Sequence, residues 1–98
     1  MAILWDESKR IENLRVHKYD FRDAWKIFNG LEFTFEDDRF PYAERRYNTI
    51  GFVEGRIAKL TYCYESENLR VISFRKATRR EALQYHLILR ERDGLGRN

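Results

Sequence analysis

Residues 70–81 read RVISFRKATRRE, and this stretch decides the architecture. Five of its twelve positions are Arg or Lys. Its first half alternates branched and aromatic residues with polar ones, which predicts a strand. Its second half holds Thr78-x-x-Glu81, a capping box in which each side chain satisfies the other residue's backbone N–H, so a helix starts there. In a regular strand, Arg70, Ile72, Phe74 and Lys76 share one face, and Val71, Ser73 and Arg75 share the other. Both faces then mix apolar and basic residues. The expectation is that the far end of the strand leaves the core and sets Arg75 and Lys76 at a rim, with Arg79 and Arg80 in the first helical turn. A cation there is unfavourable by about 0.3–1 kcal/mol unless an anion binds. The stretch is therefore either a phosphate site or a solvated charge run, partly paired with Glu65, Glu67 or Glu81.

Working outward, three more strands precede it. Leu31–Glu36 alternates apolar and polar residues, Arg45–Val53 reads as a second strand, and Arg56–Tyr64, rich in aromatic and branched residues, as a third. The loop Asp37–Ala43 and the turns Glu54-Gly55 and Glu65–Asn68 connect them, which predicts an antiparallel meander of four strands ending at Leu69–Arg75. Upstream, Asp6 is a good N-cap for a helix running to about Lys18 through Ile11 and Leu14. Asp20 caps a second stripe, Phe21, Ala24, Trp25 and Phe28, stopped by Asn29-Gly30. Ile3-Leu4-Trp5 reads as a strand fragment or a packed arm. Beyond Glu81, the run Ala82–Leu89 is apolar over a broad arc and should pack on the sheet or a partner. The expected fold is α+β: two N-terminal helices, a four-stranded antiparallel sheet and a C-terminal helix. One domain over residues 1–92 is expected, with 93–98 a flexible tail.

Composition narrows the class. With 43% hydrophobic and 15% aromatic residues among 98, the chain is too apolar for disorder and can bury one modest core. Residues 1–44 hold seven Lys/Arg against ten Asp/Glu, and residues 45–98 hold twelve against six. That asymmetry points to an anionic partner for the second half, nucleic acid first, unless the two halves simply face each other. The single cysteine, Cys63, excludes an intrachain disulfide and a cysteine metal cluster, and fits a reduced, cytoplasmic setting. The opening MAILWDESKR turns acidic too early for a signal peptide, and no apolar run could span a bilayer. No membrane association is expected.

Side chains able to do chemistry are few. Glu44 precedes Arg45 and Arg46; a carboxylate among arginines could take a proton from a ribose hydroxyl, and a plain ion pair is the simpler reading. His17 lies near a helix end and His86 within a helix; neither has a partner at metal spacing, so no metal or other cofactor is expected. There is no Gly-rich phosphate loop. Tyr62, Tyr64 and Tyr85 are possible stacking surfaces for bases. Trp25 and Leu89 are read as core.

Trp5–Lys9 (WDESK), Asn13, His17, Phe21–Phe28 (FRDAWKIF), Glu44–Arg46 (ERR) ahead of Gly51, and Arg70–Glu81 together resemble the BrnT toxins of type II toxin–antitoxin modules, over about residues 3 to 85. The last motif is the most specific. The resemblance implies a RelE-like ribonuclease fold and metal-independent RNA cleavage that blocks translation. It also implies a BrnA-like ribbon-helix-helix antitoxin, with operator DNA reached only through a hetero-oligomeric complex. It suggests Arg70, Arg75 and Lys76 for phosphate binding and charge stabilisation, with Lys9, His17 and Glu44 as further catalytic candidates. Arg46, Arg79 and Arg80 are candidates for RNA binding, and either Glu44 or His17 could be the base. The chain departs from the family pattern at Lys18, where relatives carry glycine, and at Cys63-Tyr64-Glu65, where they carry a Thr-Glu-Arg-like stretch. Two readings without catalysis stay open: a module that docks an antitoxin, and a plain RNA-binding domain.

Overall fold

The four-strand meander forms as the alternation predicts, but a fifth strand joins it. The structure, a computed structural model, describes residues 1–95. In chain order the elements are β1 (Ile3–Leu4), α1 (Glu7–His17), a 3₁₀ helix (Phe21–Phe28), β2 (Glu32–Asp37), β3 (Arg46–Val53), β4 (Arg56–Glu65), β5 (Asn68–Lys76) and α2 (Arg79–Leu95). Strands lie in the order β1-β5-β4-β3-β2. β1 runs parallel to β5, with Ile3 opposite Leu69 and Leu4 opposite Arg70, and the other pairs are antiparallel. This corrects the expected four-stranded antiparallel sheet between two N-terminal helices and one C-terminal helix: the sheet is five-stranded and mixed, and the second N-terminal helix is 3₁₀. Residues 96–98 of the segment read as a tail lie outside the described residues.

The 3₁₀ geometry has a local cause. Its buried residues are Phe21, Ala24 and Ile27, spaced three apart, which is the 3₁₀ repeat. Trp25, read as core, is half exposed. Close approach to the sheet fixes the segment: a Cβ on Gly51 would sit 3.1 Å from the Ile27 carbonyl oxygen and 3.1 Å from Glu32 Cβ.

Each sheet face has its own cover. Phe21, Ala24 and Ile27 pack with Leu60, Tyr62, Leu69, Val71 and Phe74 on one face. Tyr85 of α2 packs with Phe33 and Ile50 on the other, supported by half-buried Ile88 and Leu89. The mixed faces of β5 are resolved by a bulge. Thr61 is opposite Ser73 but Tyr62 is opposite Val71, so Ile72 is the extra residue. The bulge reverses the alternation. Leu69, Val71 and Phe74 therefore share the core face, while Arg70 and Arg75 both lie on the α2 face, opposite Cys63 and Lys59.

Caps act where the sequence places them. Asp6 accepts from the Ser8 and Lys9 N–H groups, and Asp20 from that of Arg22. Lys18 ends α1 in the left-handed region at φ 65°. A non-glycine residue there costs on the order of 1 kcal/mol. Lys18→Gly is expected to raise stability by about 0.5–1 kcal/mol, seen as a rise of a few degrees in Tm.

The capping box of α2 is also closed: Thr78 N–H donates to Glu81 at 2.9 Å, and Glu81 N–H to Thr78 Oγ1 at 3.1 Å. Glu81 further accepts from both Arg75 Nη atoms and lies 3.3 Å from the buried Lys59 ammonium. Burial alone would raise the Glu81 carboxyl, but the bonds from Arg75 and Thr78 and the charges of Arg75 and Lys59 outweigh it and hold it at about 2, against an ordinary 4.5. Its stabilising contribution is complete above the unfolded value and disappears as pH falls towards 2. Glu81→Gln is expected to cost about 2 kcal/mol at pH 7, allowing for solvent screening. In urea unfolding across pH, the gap to the native chain should close between pH 4.5 and 2.

Candidate functional site

β1 covers only Leu69 and Arg70 of β5, and the chain then turns into α1. The β5 edge beyond Arg70 has no strand beside it. A cavity of about 400 Å³ opens there, between the first turn of α1, the start of β3, the end of β4 and the start of β5. Lys9, Arg46 and Arg70 supply its cations, and Asp6, Glu44 and Glu65 its carboxylates. Cys63 and Tyr64 also line it, as do Val71 and Ile72.

Its arginines are held in place. Arg46 Nε donates to Glu44 at 3.1 Å, and its guanidinium lies 4.1 Å from the centre of the Tyr42 ring. Arg70 Nε donates to Glu65. Tyr42 belongs to the loop after β2, which the buried Asp37 anchors through two bonds from Arg39. The Arg39 guanidinium, against the pull of burial, keeps Asp37 down at about 2. Such exposed ion pairs contribute at most about 1 kcal/mol each, so a phosphodiester can displace either carboxylate at small cost. Burial pushes the Cys63 thiol up and Glu44 adds to this, with Arg46 and Arg70 offsetting part. The thiol is thereby favoured over the thiolate.

The residues expected from sequence divide into two groups. Lys9, Glu44, Arg46 and Arg70 meet in this cavity. Arg75, Lys76, Arg79 and Arg80 stand at the other end of β5, and Arg75 is committed to Glu81 and to the Lys76 carbonyl. The cations flanking Ala77 therefore do not gather on the cavity that holds Arg70. His17 lines a neighbouring groove with Lys9. Of the candidate stacking tyrosines, Tyr62 and Tyr85 are buried and Tyr64 is half exposed at the cavity. Sequence reasoning missed Tyr42, whose contact with Arg46 depends on how its loop folds, and Glu65, which was read only as a turn residue and a possible ion-pair partner.

Among the described residues, no cluster of three or more His, Cys, Asp or Glu could hold a metal ion, and no helix is long and apolar enough to cross a membrane. A family model described as the ribonuclease toxin BrnT of type II toxin–antitoxin systems matches residues 5–81. The comparison with curated proteins gives no match. The matched span contains Lys9, Glu44, Arg46 and Arg70 and ends on Glu81.

Proposed function

Because the chain belongs to the BrnT family of ribonuclease toxins of type II toxin–antitoxin systems, we propose that it is an endoribonuclease cutting RNA in the Lys9–Glu44–Arg46–Arg70 cavity. The observation that carries this reading is the meeting of three cations and a carboxylate, from separate parts of the chain, on one concavity.

The chemistry follows from the charges. The ribose 2′-oxygen attacks the adjacent phosphorus and its proton passes to the Glu44 carboxylate. Negative charge grows on the non-bridging oxygens, where Arg46 and Arg70 lie ready to receive it. The bond to the 5′-oxygen breaks, and the Lys9 ammonium gives that oxygen its proton. The products are a 2′,3′-cyclic phosphate and a free 5′-hydroxyl. Side-chain cations do the electrostatic work, so cleavage proceeds without a metal ion.

Cutting RNA in the cytoplasm stops translation, and a BrnA-like ribbon-helix-helix antitoxin holds the toxin silent in a hetero-oligomer. Operator DNA is reached through that antitoxin. Exposed Leu83 and Leu87, one helical turn apart on α2, are apolar surface that such a partner would cover. One observation favours a second reading, a toxin-like module that docks its antitoxin without cutting: Cys63-Tyr64-Glu65, where the chain departs from the family pattern, lines the cavity, and Glu65 occupies Arg70.

Induction from a tight promoter separates the two. The nuclease arrests growth, and purified protein cuts RNA in EDTA to fragments ending in cyclic phosphate. Unimpeded growth alongside a tight antitoxin complex would establish the docking module instead, and cleavage restored only by magnesium would remove the metal-free step.

A further inference from the structure

The cavity does not end at Lys9 and Ile72. Both residues also line a second groove of about 370 Å³, which runs beside α1 and is closed by Glu12, Val16 and His17. The two spaces therefore adjoin, with Lys9 and Ile72 between them. The groove has the same cause as the cavity: β1 stops at Leu4, and the bulge turns Ile72 out at the bare edge of β5. Lys9 and His17 lie eight residues apart on α1, about 12 Å along the axis.

We infer that this groove is a subsite for the nucleotide one place beyond the two that the scissile bond joins, holding its base between Ile72 and Val16 with the His17 ring stacked against it. This rests on the nuclease reading of the adjoining cavity. Continuity names the occupant: an RNA strand whose scissile phosphate sits between Lys9 and Arg70 passes the mouth of the groove, and the nucleotide beyond the scissile pair comes to lie in it. The lining suits a base. Ile72 and Val16 offer aliphatic surface, His17 an aromatic face, and single-stranded RNA is commonly recognised by such stacking on unpaired bases. Glu12 stands on the rim with its charge matched by Arg15, at 2.6 Å. His17 is thus a specificity residue at a distance from the reacting atoms, which separates it from Glu44 as a base.

The test compares a dinucleotide, which spans only the scissile bond, with a hexanucleotide of mixed sequence. Val16→Trp fills the groove from an exposed position and should raise KM for the hexanucleotide. His17→Ala should raise the same KM roughly 5- to 150-fold, the range of one lost base stack, and flatten the base preference at one position, one place removed from the cut. Binding of 2′-deoxy versions of both oligonucleotides provides a readout that needs no cleavage. If nothing is cut, yet the longer strand binds more tightly and loses that advantage in both variants, the groove binds nucleotides and the nuclease reading alone fails. If the native chain cuts RNA and both variants keep its KM and cut-site pattern, the subsite is overturned.

Discussion

Arg70→Ala is expected to lower RNA cleavage by about 10²- to 10³-fold, or about 2.7–4 kcal/mol of transition-state stabilisation, with unfolding unchanged. Arg70 meets the requirements for an electrostatic catalyst. It lies on the α2 face of β5 opposite Cys63 and lines the cavity, and Glu65 already holds it in position. Charge on the phosphate oxygens increases only as the 2′-oxygen attacks, so most of the loss should fall on kcat rather than KM. Single-turnover cleavage of a short RNA measures this directly. Lys76→Ala is the contrast: an exposed cation at the other end of the same strand, away from the cavity, should stay within a few-fold of the native rate. Equal losses from both substitutions would mean that general attraction for RNA, and not a positioned guanidinium, accounts for the effect. An Arg70→Ala protein within a few-fold of native activity would take the cavity out of the mechanism.

The reason sequence reasoning found apolar and basic residues mixed on both faces of β5 lies in one residue. With strict alternation, Arg70 and Arg75 fall on opposite faces, and the strand seems to mix polar and apolar residues on both. The bulge at Ile72 sorts them, and nothing local marks it, because a bulge satisfies a register set by β4. The caps at Asp6, Asp20 and Thr78 were legible because each depends on three or four neighbouring residues. β1 was legible only as a strand fragment or a packed arm, since two residues pairing with a strand some 66 positions away carry no signal of where they pair. The 3₁₀ helix was partly visible: Phe21, Ala24 and Ile27 repeat every three residues, but Trp25 and Phe28 suggested an α-helical stripe. Of the site, Glu44 was singled out by the arginines beside it, and Lys9, Arg46 and Arg70 were named alongside the family likeness. Their meeting in one cavity depends on β1 ending early, which is a long-range event.

Asn13 follows from the same missing strand, and Asn13→Leu is expected to cost about 4 kcal/mol. Where β1 no longer covers β5, the backbone of Phe74 has no neighbouring peptide. The buried Asn13 side chain takes that place: its Nδ2 donates to the Phe74 carbonyl at 2.7 Å and the Tyr19 carbonyl at 2.9 Å, and its Oδ1 accepts from Phe74 N–H at 3.2 Å. A side-chain amide thus acts as one peptide of an absent strand and closes an open sheet edge. Leucine keeps the volume but leaves three buried backbone groups unpaired, each costing about 1–3 kcal/mol. Against a total stability of about 5–15 kcal/mol, that is a large fraction. Denaturant unfolding should show a lower midpoint with unchanged slope, and the Phe74 amide should lose most of its exchange protection. Asn13→Asp should recover little, because its carboxylate can accept from Phe74 N–H but faces two carbonyl oxygens. A loss under 1 kcal/mol, or a Phe74 amide as protected as before, would show that packing of α1 holds this edge without the amide. The bond also has a consequence for function. Lys9 stands one turn before Asn13 on the same side of α1, and both residues line the groove beside the cavity. Loosening this anchor should lower cleavage even at temperatures where the Asn13→Leu chain remains folded, through a lower kcat and not through a smaller folded fraction.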